Sequence, residues 1–196
     1  MVLTLATPIS EIELVPSNAL RLKDVTGSGY LALLQELGEN RSTRLTYSNE
    51  IVEIRTPGQL HEVINRLLAA IILTLADSLD LVFNNLGSTT FNRADLTEGI
   101  EPDSCFYIQN VDIANSSASK LAVYKALGVP EIGLYSQGNL TVKTLTADGY
   151  SDVENSLAFR IVSAAQLNGW LKLGETGTDL TMIQAVRQEI NALNET

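Results

Sequence analysis

The chain has 196 residues, 45% of them hydrophobic and 18% charged, an ordinary balance for one globular domain. Its formal net charge is −10, from 23 acidic and 13 basic residues, which argues against broad nucleic-acid binding because that binding depends on counterions displaced by Lys and Arg. Any nucleic-acid contact must therefore be local. The single cysteine, Cys105, excludes an intramolecular disulfide and a multi-thiolate zinc site, and its apolar neighbours favour a packed strand thiol.

The amino-terminal residues and the longest apolar run bear on location. The start, MVLTLATPISEIEL, lacks the basic region and the long apolar run of a secretory leader, so we expect a cytoplasmic protein. The most apolar stretch, LLAAIILTLA from Leu67 to Ala76, is too short to span a bilayer. It predicts a buried helix and no membrane partner.

The amino-terminal part of the chain predicts a strand, a helix and a hairpin. ISEIELV alternates like a strand, and the later GSGYLALLQELG has its apolar residues at helical spacing. TRLTYSNEIVEIRTP predicts a β-hairpin that turns at Ser48 and Asn49 and ends before Pro57. The apolar stripe of the helix is formed by Tyr30, Leu31, Leu34 and Leu37.

The segment from Leu60 to Leu75 has the strongest pattern in the chain. Its apolar residues follow the i, i+3, i+4, i+7 rule, which predicts a core helix with one wide apolar stripe lying against a sheet. The stripe consists of Leu60, Val63, Ile64, Leu67, Leu68, Ile71, Ile72 and Leu75.

The rest of the chain alternates between predicted strands and helices. Strand-like runs at LDLVFNNLGSTTF, DSCFYI and VDIA precede a short helix from about Ser119 to Leu127, which Gly128 ends. Strands at EIGLY, at NLTVKTLT and near Phe159 follow, and then two helices, SAAQLNGWLKLG and LTMIQAVRQEINALN. The inner face of the last helix is predicted from Leu180, Ile183, Val186 and Ile190.

This order of elements predicts an α+β or three-layer α/β fold in a single domain. Within that domain we expect a strand-helix segment over residues 1–40, a core over 41–160 and carboxy-terminal helices over 161–196.

Two carboxylates and a lysine stand at element ends, where they add little to a core. Asp103 precedes a strand, Asp112 lies one strand later, and Lys120 opens the next helix. Two carboxylates suit Mg²⁺, a hard cation that polarises a phosphate and activates water, and a nearby lysine offsets developing charge. The residue types therefore fit metal-assisted phosphodiester cleavage, although the bare spacing is weak evidence because Pro-Asp is a common turn pair.

Each of these residues also has a purely structural interpretation. Asp103 after a proline can cap a turn, and Asp112 can be an exposed strand acid or an Asx-turn acid. Lys120 on the first turn of a helix is unfavourable with the helix dipole, which suggests a reason for it, but most surface lysines have none. His61, the only histidine, can be a packing or capping residue at a helix start.

Four stretches together are more specific than that spacing. They are LTYSNEIVEIRTPGQLHEVINRLLAAI, LGSTTF, EPDSCFYIQN and VDIANSSASKLAVYKALGVPEI. These stretches resemble the bacterial Uma-two family of restriction-endonuclease-like proteins, a branch of the PD-(D/E)XK nuclease superfamily, over roughly residues 40 to 145. The resemblance implies a mixed sheet flanked by helices, with Asp103 as a metal ligand, Lys120 as the superfamily lysine and His61 at the edge of the site.

The chain departs from the family pattern at one point. In the family a glutamate precedes the strand written here as VDIANSS and a longer loop separates that strand from FYIQN, whereas here Asn110 directly precedes Val111. Either a loop of the native protein is missing from this sequence, or the protein has lost a metal ligand. The intact flanks favour a missing loop; taken literally, Gln109 and Asn110 could form a two-residue hairpin turn.

Two functions are therefore expected as alternatives. The first is a Mg²⁺- or Mn²⁺-dependent endonuclease acting on DNA, with Asp103 and Asp112 as metal ligands and Lys120 and His61 as catalytic residues. The second is a nuclease-fold protein with a decayed site that acts as a dimeric binding or interaction module, which the negative charge and the absent glutamate favour. The expected partners are DNA, through local contacts, and a second copy of the chain.

Overall fold

The computed structural model describes residues 19–38, 41–87, 90–93, 98–108, 124–125 and 127–194. Helices and strands are both abundant in these ranges, so the predicted α+β class is confirmed. The helices are α1 (Gly27–Leu37), α2 (Gln59–Ser78), α3 (Ala164–Thr176) and α4 (Asp179–Asn194). The strands are β1 (Ala19–Leu22), β2 (Arg44–Ser48), β3 (Ile51–Arg55), β4 (Phe83–Gly87), β5 (Phe91–Arg93), β6 (Glu98–Ile100), β7 (Cys105–Ile108), β8 (Glu131–Ser136), β9 (Asn139–Leu145) and β10 (Tyr150–Val153).

The strands form three sheets. The largest has the order β1-β3-β2-β6-β5, the second has the order β10-β9-β8, and β4 pairs with β7. All pairings between these described strands are antiparallel. The predicted strands ISEIELV and VDIA lie outside the described residues, so any parallel part of a mixed sheet stays a prediction.

The hairpin of β2 and β3 contributes two neighbouring strands to the five-stranded sheet. It turns through Asn49 and Glu50, whose φ angles are 49° and 59°. Positive φ at both central residues is the requirement of a type I′ turn, which matches the twist of the flanking strands. The sequence placed the turn one residue early, because Ser48 pairs with Ile51 and closes the ladder.

Helix α1 covers one face of this sheet. The Thr26 side chain caps the helix by accepting a hydrogen bond from the Gly29 amide at 3.1 Å. The Tyr30 ring stacks on Tyr47 with 4.7 Å between centroids. A Cβ atom at Gly99 would lie 2.4 Å from the Tyr30 hydroxyl oxygen, so glycine allows the ring to approach the sheet. The buried cluster between helix and sheet contains Tyr30, Leu45, Tyr47, Val52 and Ile54.

Helix α2 is the central helix of the second and larger core. Its buried face packs against α3, α4 and a cluster that includes β9, rather than against the five-stranded sheet. Leu67 is fully buried, whereas Leu60, the first residue of the predicted stripe, is 60% exposed. Among the described helices, α2 alone has the length and apolar character to cross a membrane, but its packing is that of a core helix. The buried residues of α2 are Ile64, Leu67, Ile71, Thr74, Leu75 and Ala76.

The carboxy-terminal helices close this core over the β8–β10 sheet. Ser163 and Gln166 form a reciprocal capping box at the start of α3. Asn168 then pairs with β9, because its side chain accepts a hydrogen bond from the Leu140 amide at 2.7 Å and donates one to the Leu140 carbonyl at 2.8 Å. These contacts fix α3 against the sheet, and α4 packs against both α2 and α3.

Two details of the sequence prediction are wrong in this region. Phe159 was expected in a strand, but it lies buried in the bend between β10 and α3, where its amide donates to the Ser156 hydroxyl at 3.0 Å. Leu180 was expected on the inner face of α4, but it is exposed. The buried face of α4 is Met182, Val186 and Ile190, which lie four residues apart.

The position of α2 leads to a stability prediction. Leu67→Ala removes a fully buried side chain and leaves a cavity, so it should destabilise the fold by about 2–5 kcal/mol in urea unfolding. Leu60→Ala makes the same chemical change on an exposed site of the same helix and should change stability by less than about 0.5 kcal/mol. Equal losses for the two variants would contradict this position of the helix.

Candidate functional site

The predicted site residues divide into two that the structure describes and two that it does not. Asp103 lies between β6 and β7, and His61 lies in the first turn of α2. Asp112 and Lys120 lie outside the described residues. The expected meeting of all four side chains therefore stays a prediction, and the geometry below concerns Asp103, His61 and their neighbours.

The turn at Asp103 is attached directly to the core helix. Asn65 of α2 donates a hydrogen bond from Nδ2 to the carbonyl of Asp103 at 3.1 Å. The Ser104 hydroxyl donates to Oδ1 of the same asparagine. One amide side chain thus satisfies two neighbouring polar groups of the turn, and it fixes the Asp103 backbone relative to α2.

The carboxylate of Asp103 is not used by that bridge. The residue is partly exposed, and within the described ranges no hydrogen bond or ion pair to its carboxylate oxygens is found. Its backbone is held while its charged oxygens stay available. That combination suits a ligand-binding carboxylate better than a turn cap, since a capping aspartate uses its oxygens on backbone amides.

His61 belongs to the same side of α2 as Asn65. The two residues are four positions apart in the helix, a separation that places side chains on one face in neighbouring turns. The His61 side chain is exposed. Exposure argues against a packing role for His61, and its position at the edge of the Asp103 site stays a prediction.

Tyr124 is a neighbour of Asp103, close enough for the carboxylate charge to act on its hydroxyl. It is partly buried and packs with Ile100 and Leu127. Burial is the largest cause that raises its pKa, and the negative charge of Asp103 raises the pKa further, while Arg55 acts in the opposite direction. The phenol is therefore a neutral hydrogen-bond donor at ordinary pH, within electrostatic reach of both charges.

A buried ion pair fixes the chain just before Asp103. Glu101 is bonded to Arg41, and their side chains are only 5% and 11% exposed. The same carboxylate accepts hydrogen bonds from the Leu45 amide at 2.8 Å and the Thr90 hydroxyl at 2.7 Å. Because its oxygens are occupied, Glu101 serves as an anchor, and breaking a pair of this kind leaves an uncompensated buried charge.

The sequence interpretation missed both the anchor and the bridge. Glu101 directly precedes the Pro-Asp pair, but nothing in the local sequence indicates a partner sixty positions away. The sequence gives a weak indication of the role of Asn65, since it is a polar residue between apolar stripe residues of the predicted helix. Tyr124 stands one predicted helical turn after Lys120, which is the spacing of side chains that can contact each other.

Of the two expected metal ligands, the structure describes only Asp103, so the magnesium site stays a prediction. Within the described residues no group of three His, Cys, Asp or Glu side chains could hold a metal ion. Asp103 provides one hard oxygen ligand of the type that Mg²⁺ prefers, and the second expected ligand, Asp112, is not described. Cys105 is no candidate ligand or nucleophile, because burial raises the pKa of its thiol and so disfavours the reactive thiolate.

Comparisons with known proteins provide no related site with which this geometry can be compared. No family model, curated protein or solved structure matches the chain. The chemistry of the site therefore has to follow from its own residues.

The Asn65 bridge leads to a second stability prediction. Asn65→Ala removes hydrogen bonds to the Asp103 carbonyl and the Ser104 hydroxyl, each worth about 1 kcal/mol, while alanine returns about 0.5 kcal/mol of helix propensity. We expect a net loss of about 1–2 kcal/mol in urea unfolding. Gln59→Ala on the exposed first turn of α2 is the control and should be nearly neutral. A neutral Asn65→Ala variant would mean that the bridge does not hold the turn.

The pKa of Tyr124 leads to a pH prediction. The pKa of Tyr124 in the folded chain lies above the ordinary value of 10.0. The contribution of the neutral phenol to stability is therefore fully present below pH 10.0. It falls above that pH, because the phenol ionises in the unfolded chain but not in the folded one. Tyr124→Phe should therefore make stability fall less steeply between pH 10 and 11, as measured by urea unfolding across that window. An unchanged slope would show that Tyr124 is not held neutral by the fold.

Proposed function

We propose that this chain is a Mg²⁺- or Mn²⁺-dependent endonuclease that hydrolyses phosphodiester bonds in DNA. The observation that carries the proposal is the Asp103 turn, whose backbone is held by a core helix while its carboxylate stays available. The resemblance of residues 40 to 145 to the Uma-two family supports the same assignment. We further propose that it acts in the cytoplasm as a homodimer.

The proposed roles follow from the chemistry of each side chain. Asp103 and Asp112 would hold the metal ion, which when bound supplies charge to polarise the phosphate and lower the pKa of water. Lys120 would offset the negative charge that develops on the phosphate oxygens, as preorganised cations do in such sites. His61 would accept or deliver a proton, because a neutral imidazole has one nitrogen that accepts and one that donates.

Tyr124 adds a role that the sequence did not suggest. Its phenol stays neutral beside Asp103, so it can donate a hydrogen bond to a phosphate oxygen without adding negative charge. Arg55, whose charge also acts on this hydroxyl, would attract the same phosphate. The proposed site thus has one negative element for the metal and nearby donors for the substrate.

The alternative is a binding module that keeps the fold without the chemistry. The observation that favours it is that the described residues contain no complete set of metal ligands. The net charge of −10 also favours it. The two proposals differ in one measurable property, since only the nuclease requires the Asp103 charge for metal-dependent cleavage.

Nicking of supercoiled plasmid DNA tests the nuclease. The protein with Mg²⁺ or Mn²⁺ should nick the plasmid, and Asp103→Asn should abolish nicking with the fold unchanged, because the amide keeps the shape but loses the charge that holds the metal. Asp148→Asn, an exposed aspartate in the turn before β10, is the matched control and should retain full activity.

Two further arms separate metal binding from chemistry. Lys120→Ala should reduce the rate by about 10²–10³-fold with metal binding retained, since a lysine stabilises charge without ligating the ion. Ca²⁺ should bind without supporting cleavage, because its looser geometry positions water poorly. Calorimetry that shows no Mg²⁺ or Mn²⁺ binding, together with nicking unaffected by Asp103→Asn, would favour the binding module.

A further inference from the structure

The face of the five-stranded sheet that points away from α1 carries three arginines in an acidic protein. Residues that pair across antiparallel strands point to the same face, and so do residues two apart in one strand. Arg44 pairs with Arg55, and Arg21 pairs with Glu53, so all four side chains share one face. We name Arg21, Arg44 and Arg55 the arginine face; they are three of the thirteen basic residues of the chain.

The pairing on this face is unfavourable without a ligand. Arg44 and Arg55 stand directly opposite each other, and like charges at such positions destabilise a sheet. Within the described residues, the buried Nε atom of Arg44 has no hydrogen-bond partner. An anion beside the two guanidinium groups would relieve this repulsion.

Within strands β1, β2 and β3, one acid partly compensates this face. Glu53 accepts a hydrogen bond from Nε of Arg21 at 2.8 Å and lies 3.8 Å from Nε of Arg55. One carboxylate therefore serves two arginines, and Arg44 has no acidic partner among the described ion pairs. On strands β1, β2 and β3, the face carries three arginines and one glutamate, a positive balance of two charges.

The arginine face continues into the candidate site. Strand β6 runs antiparallel to β2, with Ile100 opposite Thr46, so the chain that leaves Ile100 runs toward the Arg44 end of β2. Asp103 follows three residues later. The electrostatic influence of both Asp103 and Arg55 on the hydroxyl of Tyr124 agrees with this path. The arginines and the candidate metal ligand therefore lie at one end of the sheet.

We propose that the arginine face binds the phosphate backbone of duplex DNA and presents it to Asp103. Charge complementarity identifies the ligand, because guanidinium groups suit phosphate and the rest of the chain repels polyanions. This inference rests on the proposed function, which supplies the reason for a phosphodiester at Asp103. It assigns to the arginine face the DNA contact, which must be local because the chain as a whole is acidic.

Binding without metal tests the face separately from the chemistry. Fluorescence anisotropy with a short fluorescein-labelled DNA duplex, in EDTA, measures affinity when cleavage is impossible. Arg55→Gln and Arg44→Gln should each weaken binding about fivefold to tenfold and reduce the salt slope by about one. Arg160→Gln, an exposed arginine outside the sheets, is the control and should leave both quantities unchanged.

A substitution of the opposite sign distinguishes binding from damage to the fold. Glu53→Gln removes the acid that pairs with Arg21 and Arg55 and should strengthen binding about fivefold, which a destabilised sheet would not do. Circular dichroism and urea unfolding confirm that each variant is folded. If Arg44→Gln does not fold, Arg21→Gln replaces it with the same expectation.

The outcomes separate this inference from the nuclease proposal. If the protein binds DNA through its arginines but never cleaves it, DNA binding by the arginine face is supported and the nuclease proposal is contradicted. If cleavage depends on Asp103 but no arginine variant changes binding, the nuclease proposal is supported and DNA binding by the arginine face is contradicted. Equal or tighter arginine-dependent binding to duplex RNA or to anionic phospholipid vesicles, measured in the same buffer, would overturn the assignment to DNA.

Discussion

The hydrogen bonds of Asn65 are the contacts on which the rest of the candidate site depends. Through Leu67 and Ile71, helix α2 belongs to the larger core, and through Asn65 it holds the turn that carries Asp103. The buried pair of Glu101 and Arg41 fixes the chain on the other side of the turn. A carboxylate held this way needs little reorganisation to bind a cation, which is the advantage of placing a site on rigid elements.

Local patterns in the sequence predicted much of the fold. The spacing of Ile64, Leu67 and Ile71 identified α2 as a core helix, and the alternation around the Asn49 turn identified the β2–β3 hairpin. Those patterns depend on neighbouring residues only. They did not predict what α2 packs against. They also placed Phe159 in a strand, because an isolated aromatic residue can be buried in a loop as well as in a strand.

The candidate site was less predictable, since most of its contacts join residues far apart in sequence. Asp103 and His61 were proposed from residue type and family resemblance, and the Asn65 bridge joins the Asp103 turn to α2, the helix that carries His61. The pairing of Arg44 with Arg55 depends on strand register, because a turn at Ser48 and Asn49 would place Arg44 opposite Glu53. Asp112 and Lys120 stay predictions.

The charge distribution reconciles an acidic chain with a polyanionic ligand. In the proposed assignment, a net charge of −10 limits DNA contact to one place, and the arginine face would provide that place. Weak, local binding is then the expected behaviour of the whole protein, because few counterions are released. An acidic chain attracts divalent cations to many surface carboxylates, so the position of a bound cation is the decisive property.

Paramagnetic NMR with Mn²⁺ tests that position most directly. Mn²⁺ broadens the signals of nuclei near it, and small additions reveal the tightest site first. The account predicts early loss of the Asp103 and Ser104 backbone amide signals and of the Asn65 side-chain amide signal, with all three retained in Asp103→Asn. Retention of these signals in the unsubstituted protein, while signals of other acidic residues broaden, would contradict it.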